Sequence, residues 1–315
     1  MNVISGSYAN VLSLAMAVFS ALLAGTLYRL SSLRRCPGET ARRRVASLIS
    51  WWLIAGSLFV AALGGRWAAS SIWLAMSLIA MTEYRRLSAP TPSTTPSAAS
   101  AMEWTPAARV MTVNLTVLYI GIAVGGGIAW LAFVSAASAI ALCAATLTAA
   151  GVQQYTSRIA FSILGLLLCG IFPACSLLLL DPESPALFLL VVGMTQWNDI
   201  LSAWAGRLLG RRKLAAVISP KKSLEGFVGG LIGTVVTAAL LGPSLTELTT
   251  LDWSLLGLAI ATAGTLGDLN MSAIKRAAGV KDSGTLIPGQ GGMLDRIDSL
   301  TFSAPIALLL VEVMR

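Results

Sequence analysis

Two carboxylates of this chain lie within apolar runs, where an unpartnered charge is costly: Asp199 in TQWNDILSAWAG and Asp268 near the end of ATAGTLGDLNMS. A carboxylate at such depth is normally paired in a salt bridge or bound to a metal or substrate. The chain has only fourteen acidic residues, and six of them (Asp199, Glu225, Asp268, Asp282, Asp295 and Asp298) fall after residue 198, in or beside segments that read as loops. The stretch KDSGTLIPGQGGMLDRIDS packs four glycines and one proline into nineteen residues. It predicts a turn-rich loop whose backbone N–H groups suit phosphate oxygens. Its end, Asp295-Arg296-Ile297-Asp298, puts two carboxylates on one face if that turn is helical. Lys275, Arg276, Lys281 and Arg296 surround them. Carboxylates without histidine or thiolate suit Mg²⁺, which keeps waters and substrate phosphates as its other ligands. Carboxylates for a metal and cations for phosphate are what phosphoryl or nucleotidyl transfer needs.

A second basic segment, GRLLGRRKLAAVISPKKSLEG, precedes this one. Ser219-Pro220 predicts a turn, and Lys221, Lys222 and Ser223 then open a new helix, a reasonable place for phosphate. Glycines 226, 229, 230 and 233 on that helix are explained by close helix packing alone. Other chemistry is excluded. The chain has no histidine, so no Ser-His-Asp triad, Cys-His dyad or histidine-ligated metal is available. Its four cysteines form no Cys-x-x-Cys pair and read as small buried hydrophobes. No P-loop string occurs, and Gly125-Gly126-Gly127, between two apolar runs, reads as a tight turn.

The elements that must position these residues are membrane helices. Charged residues are 11% of the chain and hydrophobic residues 56%, against about 25% charged in soluble domains, so a water-facing surface could not be covered. Apolar runs at about 9–30, 46–63, 67–82, 109–125, 128–149, 159–180, 186–205, 226–242, 253–269 and 299–315 predict an all-α, polytopic integral membrane protein of nine to ten transmembrane helices. The first run reads as a reversed signal-anchor, because its positive charges follow it. With the N-terminus outside, every Lys and Arg except Arg66 and Arg315 falls in an inside loop, and the positive-inside rule selects that orientation. The net charge of +8 is then a basic cytoplasmic face beside anionic lipid and calls for no nucleic acid. Residues 88–108, rich in Pro, Ser and Thr, read as a cytoplasmic linker between N-terminal membrane helices (1–87) and a catalytic transmembrane domain (109–315).

The residues between Ser272 and Asp298, SAIKRAAGVKDSGTLIPGQGGMLDRID, resemble the signature of phosphatidate cytidylyltransferases, the CDP-diacylglycerol synthases: S-x-x-K-R, K-D, P-G-H-G-G, D-R-x-D. The GDL at 267–269, SPKKSLEGFVGG at 219–230 and the Asp199 to Arg207 spacing add to the likeness, which is strong over about 195–305. The resemblance implies CTP and phosphatidate, or a similar lipid phosphate, as partners in the inner membrane, Mg²⁺ (two divalent ions) as cofactor, and CDP-diacylglycerol plus pyrophosphate as products. A homodimer is compatible with it. By position it implies that Asp268 and Asp295 hold the metals, with Lys275, Arg276, Asp282 and Asp298 completing the catalytic set. Asp199, Ser219, Lys221, Lys222, Ser272, Lys281, Gln290 and Arg296 are then substrate contacts. Three departures stand out: Gln290 replaces the signature histidine, Ala203 a tyrosine, and Asn270-Met271 an aromatic-acidic pair. A phosphate monoester, with a second pKa near 6, is already ionised at neutral pH, so the loss of a histidine base is tolerable. The alternatives are a transferase for a different lipid phosphate and a catalytically silent lipid-binding membrane protein.

Overall fold

The computed structural model describes residues 39–87, 106–149, 152–181, 184–286 and 291–315, with scattered positions between 12 and 31. Gln290 and residues 88–105, the body of the expected linker, lie outside the described residues. Among those described, each apolar run from 46 onward forms a helix: α1 (Glu39–Leu63), α2 (Gly65–Arg86), α3 (Pro106–Ala123), α4 (Ile128–Ala149), α5 (Val152–Leu166), α6 (Ala186–Leu209), α7 (Leu224–Leu245), α8 (Thr250–Ala277) and α9 (Leu300–Met314). Among the described residues, six spans are long and apolar enough to cross a membrane by length and composition, and two shorter apolar helices, Val18–Tyr28 and Trp51–Leu63, add to them. The chain is therefore an all-α, multi-pass membrane protein.

The helices of the first half are held in one frame by polar contacts buried among them. After α5 the chain passes through a π turn at Leu167–Ile171, which distorts the helical ladder at the Gly170 carbonyl. The Tyr119 hydroxyl donates to that carbonyl at 3.1 Å and pairs with Ser77 Oγ at 2.7 Å, joining α3, the π turn and α2. Trp73 Nε1 donates to Ser176 Oγ at 3.0 Å, so α2 is also pinned to the helical turn that follows α5. At the other end of α2, Tyr84 stacks on Phe161 at 4.3 Å between centroids, and its hydroxyl donates to the Phe161 carbonyl.

The second half is a close-packed set of α6, α7 and α8. The glycine stripe on α7 is a contact surface, as its spacing predicts. A Cβ at Gly226 would meet Gly206 Cα and Ser202 O, and one at Gly229, Gly230 or Gly233 would run into Ala205, Ser202 or Leu201. Asn198, fully buried, bridges the three helices through Thr234, Thr265 and the Ala261 carbonyl. Between α6 and α7 the expected turn at Ser219-Pro220 is displaced: the turn lies at residues 216–218, and Ser219–Ser223 (β2) pairs antiparallel with Lys213–Ala215 (β1). Pro220, lacking an N–H, is tolerated because this two-stranded ribbon leaves β2 an open edge. Glu225 ties the hairpin down by accepting from Arg211 N (2.9 Å) and Arg212 N (3.1 Å), while Ser223 caps α7 through Gly226 N.

Candidate active site

Three helices bring the predicted carboxylates together at one end of the bundle. Asp199 sits nearly three turns before the C-terminal end of α6, where Ser299 Oγ donates to its Oδ2 at 2.8 Å. Asp268, Ser272 and Lys275 recur at i, i+4 and i+7 on α8, and Ser272 Oγ donates to Asp268 Oδ1 at 3.2 Å. Gly267 lets α8 approach the start of α9: a Cβ there would lie 2.5 Å from the Asp298 carbonyl. As a result Asp199, Asp268 and Asp298 lie within electrostatic reach of one another, among Lys222, Lys275 and Arg296. Like charges gathered in a half-buried place must be offset by cations, from the protein or from outside.

The offsetting cations are visible at the two carboxylates expected to bind metal. Lys222 Nζ lies 2.5 Å from Asp268 Oδ2, and Lys275 Nζ lies 2.5 Å from Asp295 Oδ1. The second pair is also wrapped by the loop. Asp295 Oδ2 accepts from Ser283 N (2.9 Å), Ser283 Oγ (3.0 Å) and Gly292 N (2.9 Å). The loop's N–H groups, expected to be free for phosphate, are thus partly taken by the protein's own carboxylates. This explains its glycines. Gly291 has φ +87°, and a Cβ on it would press on Asp295 Oδ2, while one on Gly292 would collide with Ser283 Oγ and with Glu83.

Glu83 was not anticipated. It stands near the C-terminal end of α2, buried, and accepts from Met293 N (3.0 Å), Leu294 N (2.9 Å) and Ser283 Oγ (2.9 Å). The clue was the one that singled out Asp199 and Asp268, an acidic residue at the edge of an apolar run; ending that run at residue 82 hid it.

The four aspartates floor a cleft of about 1210 Å³. Asp199, Asp268, Asp295 and Asp298 line its charged end together with Asp282, and Lys221, Lys275 and Arg296 are the predicted cations there. Arg207, two turns beyond Asp199 on α6, joins them. The rest of the cleft is apolar and climbs between α1 and α6, past Trp51, Ile54, Phe59, Leu190 and Met194. Ala203 lies on this wall, where a larger side chain would narrow it. Not every predicted residue converges. Arg276 turns away, donating to the carbonyls of Ile218 and Val280, and so clamps the hairpin to the end of α8. Ser219 on β2 and Lys281 on the loop lie outside the cleft lining.

The profile of the cytidylyltransferase family matches residues 44–314, nearly the whole chain. The chain belongs to the cytidylyltransferase family. It is 51% identical over 120 residues to the uncharacterized protein YnbB of Escherichia coli, covering 38% of this chain and 40% of that protein. It is 44% identical over 131 residues to the phosphatidate cytidylyltransferase of Haemophilus influenzae, covering 40% and 46%. A phosphatidate cytidylyltransferase of Thermotoga maritima is 37% identical over 132 residues, covering 40% and 49%. The chain thus spans about half the length, or less, of the relatives it matches. The family match takes in most of α1 and all of α2 as well as the signature.

The donor chemistry bears on metal. Among the described residues no group of three His, Cys, Asp or Glu side chains converges to hold an ion unaided. What is present is a pair of carboxylates, each already holding one positive charge, within an all-oxygen donor set. That suits a hard cation which draws its remaining ligands from water and substrate phosphate.

Proposed function

We propose that this protein transfers the cytidylyl group of CTP to a lipid phosphate of the phosphatidate type, at the cytoplasmic face of the inner membrane. The observation that carries the reading is the two-part cleft, acidic and basic at its floor and apolar up one wall. An amphiphile with a phosphate head and acyl chains fits both parts at once. The family match and the similarity to two phosphatidate cytidylyltransferases support CTP as the donor.

In this reading Asp268 and Asp295 hold Mg²⁺, with Asp298 and Asp199 supplying further negative charge. The metal would offset phosphate charge and polarise the α-phosphoryl group. The chain's own groups do the rest. Lys222, released from the carboxylate it now neutralises, faces the phosphate oxygens, with Lys275, held in place by Asp295, and Lys221, Arg207 and Arg296 around it. Ser272 orients Asp268 through its hydrogen bond. A lipid phosphate oxygen forms a bond to the α-phosphorus, the α–β phosphoanhydride bond breaks, and pyrophosphate leaves with its charge offset by these cations. Asp282, at the charged end of the cleft, completes the proposed catalytic set, and Gln290 is a further proposed substrate contact.

The test is incubation of the purified protein with radiolabelled CTP, Mg²⁺ and a panel of lipid phosphates, followed by extraction of lipid-linked CMP. Label entering none of them sinks the proposal, whereas label entering a lipid other than phosphatidate revises the acceptor alone. Orientation is tested by Val217→Cys at the hairpin tip, 92% exposed, in a background without native cysteines. It should react with an impermeant thiol reagent only after cells are opened.

A further inference from the structure

Glu83 has no part in the chemistry just described, yet it accepts three hydrogen bonds from the signature loop, across about two hundred residues of sequence. All three partners are donors: two backbone N–H groups and one hydroxyl. An ionised carboxylate satisfies such a set, because it is acceptor-only and has lone pairs on both oxygens. The element that presents it is rigid, since the neighbouring Tyr84 is stacked on Phe161 and its ring fills the space above Gly165. The segment that receives it is glycine-rich, and it leads into Leu294, whose side chain is fully buried.

We propose that Glu83 is a positioning residue that anchors the loop onto α2 and thereby sets the orientation of Asp295 and Lys275. The link is Ser283, whose hydroxyl lies 2.9 Å from Glu83 Oε2 and 3.0 Å from Asp295 Oδ2, and whose N–H donates to the same Asp295 oxygen. Asp295 in turn fixes the Lys275 ammonium. A continuous chain of hydrogen bonds therefore runs from α2 through the loop to α8, and its last two members line the cleft. Its effect on rate rests on the transferase reading; its effect on the loop does not.

The test uses the full-length protein in lipid nanodiscs and two readouts: amide hydrogen exchange of peptides covering 281–298 and 224–245, and steady-state CMP transfer. Glu83→Gln keeps the size of the side chain but leaves one acceptor oxygen and turns an NH₂ toward a donor. Exchange in 281–298 should rise about ten-fold or more, with 224–245 unchanged. Turnover should fall about 10- to 100-fold, since sub-ångström misplacement of a reacting group is costly, while KM for the lipid changes less than about three-fold. Glu83→Asp, still acceptor-only, should recover part of the loop protection. Unchanged exchange in 281–298, an equal rise in both segments, or a loosened loop with full turnover would each overturn the proposal. If the parent protein transfers no CMP, the reaction reading fails, and the exchange comparison still decides whether Glu83 holds the loop.

Discussion

Two carboxylates of the cleft floor each hold a lysine, in different surroundings. Lys222–Asp268 joins the hairpin to α8 with side chains 25% and 24% exposed, and Lys275–Asp295 joins α8 to the loop at 9% and 7%. Water at the first pair keeps the cost of separation low, in the range of about 0–1 kcal/mol for exposed pairs. At the second, separation strands a charge where little solvent can reach it, at a cost of about 3–5 kcal/mol when one partner is removed. One pair is built for exchange and the other for holding shape. Equal distances therefore do not mean equal roles, and a carboxylate assigned to metal by its sequence position can also be a keystone of the loop.

The largest effect should come from Asp295→Ala. It leaves Lys275 buried without a counter-charge and removes the acceptor from Ser283 N and Gly292 N. Thermal unfolding in detergent should show a loss of about 3–5 kcal/mol along with loss of CMP transfer. A variant that is inactive but as stable as the parent would erase the contrast drawn between the two pairs. Asp268→Ala should separate the two properties: stability within about 1 kcal/mol of the parent, transfer down by about 10²–10³-fold. Near-normal transfer by this variant removes Asp268 from the metal site.

Gly292→Ala comes next. Its Cβ would press on Ser283 Oγ and Glu83, so the loop must shift. A destabilisation of about 1–3 kcal/mol is expected, as for overpacking, and Glu83→Ala in the same chain should relieve part of it. Additive losses in the double variant would place the strain elsewhere.

How much of this was legible beforehand follows from the range of the contacts. Asp268, Ser272 and Lys275 share a helix face, so their convergence is written in their spacing. The α7 glycine stripe is local in the same sense. The pairing of Lys275 with Asp295 crosses a loop whose path is set by tertiary contacts, and periodicity says nothing of it. Glu83 lies further still from its partners, beyond the whole linker. The hairpin was missed because β1, Lys213-Leu214-Ala215, has only three residues and β2, Ser219–Ser223, is polar throughout apart from Pro220, so neither shows the alternation that marks a half-buried strand. The loop's N–H groups were recognisable as donors; that the protein's own carboxylates claim several of them follows only from three-dimensional packing.

The smallest effect, and the finest test of the comparison, is expected from Lys222→Met. Methionine keeps the apolar stem and deletes the charge on Asp268. Because the pair is a quarter exposed, stability should stay within about 1 kcal/mol of the parent. The functional consequence is two-sided. If Lys222 occupies Asp268 until a divalent ion replaces it, its removal frees the carboxylate, and Mn²⁺, read by its paramagnetic signal without nucleotide, should bind up to about five-fold more tightly, the equivalent of about 1 kcal/mol. If the released ammonium then serves phosphate, the same variant should need about ten-fold more CTP for half-maximal rate, as befits loss of one charge-assisted hydrogen bond. Tighter metal with weaker nucleotide is a combination that a purely structural ion pair would not produce. Unchanged Mn²⁺ affinity would mean that metal and lysine do not compete at Asp268. The contrast with the buried pair would then reduce to a difference in stability alone.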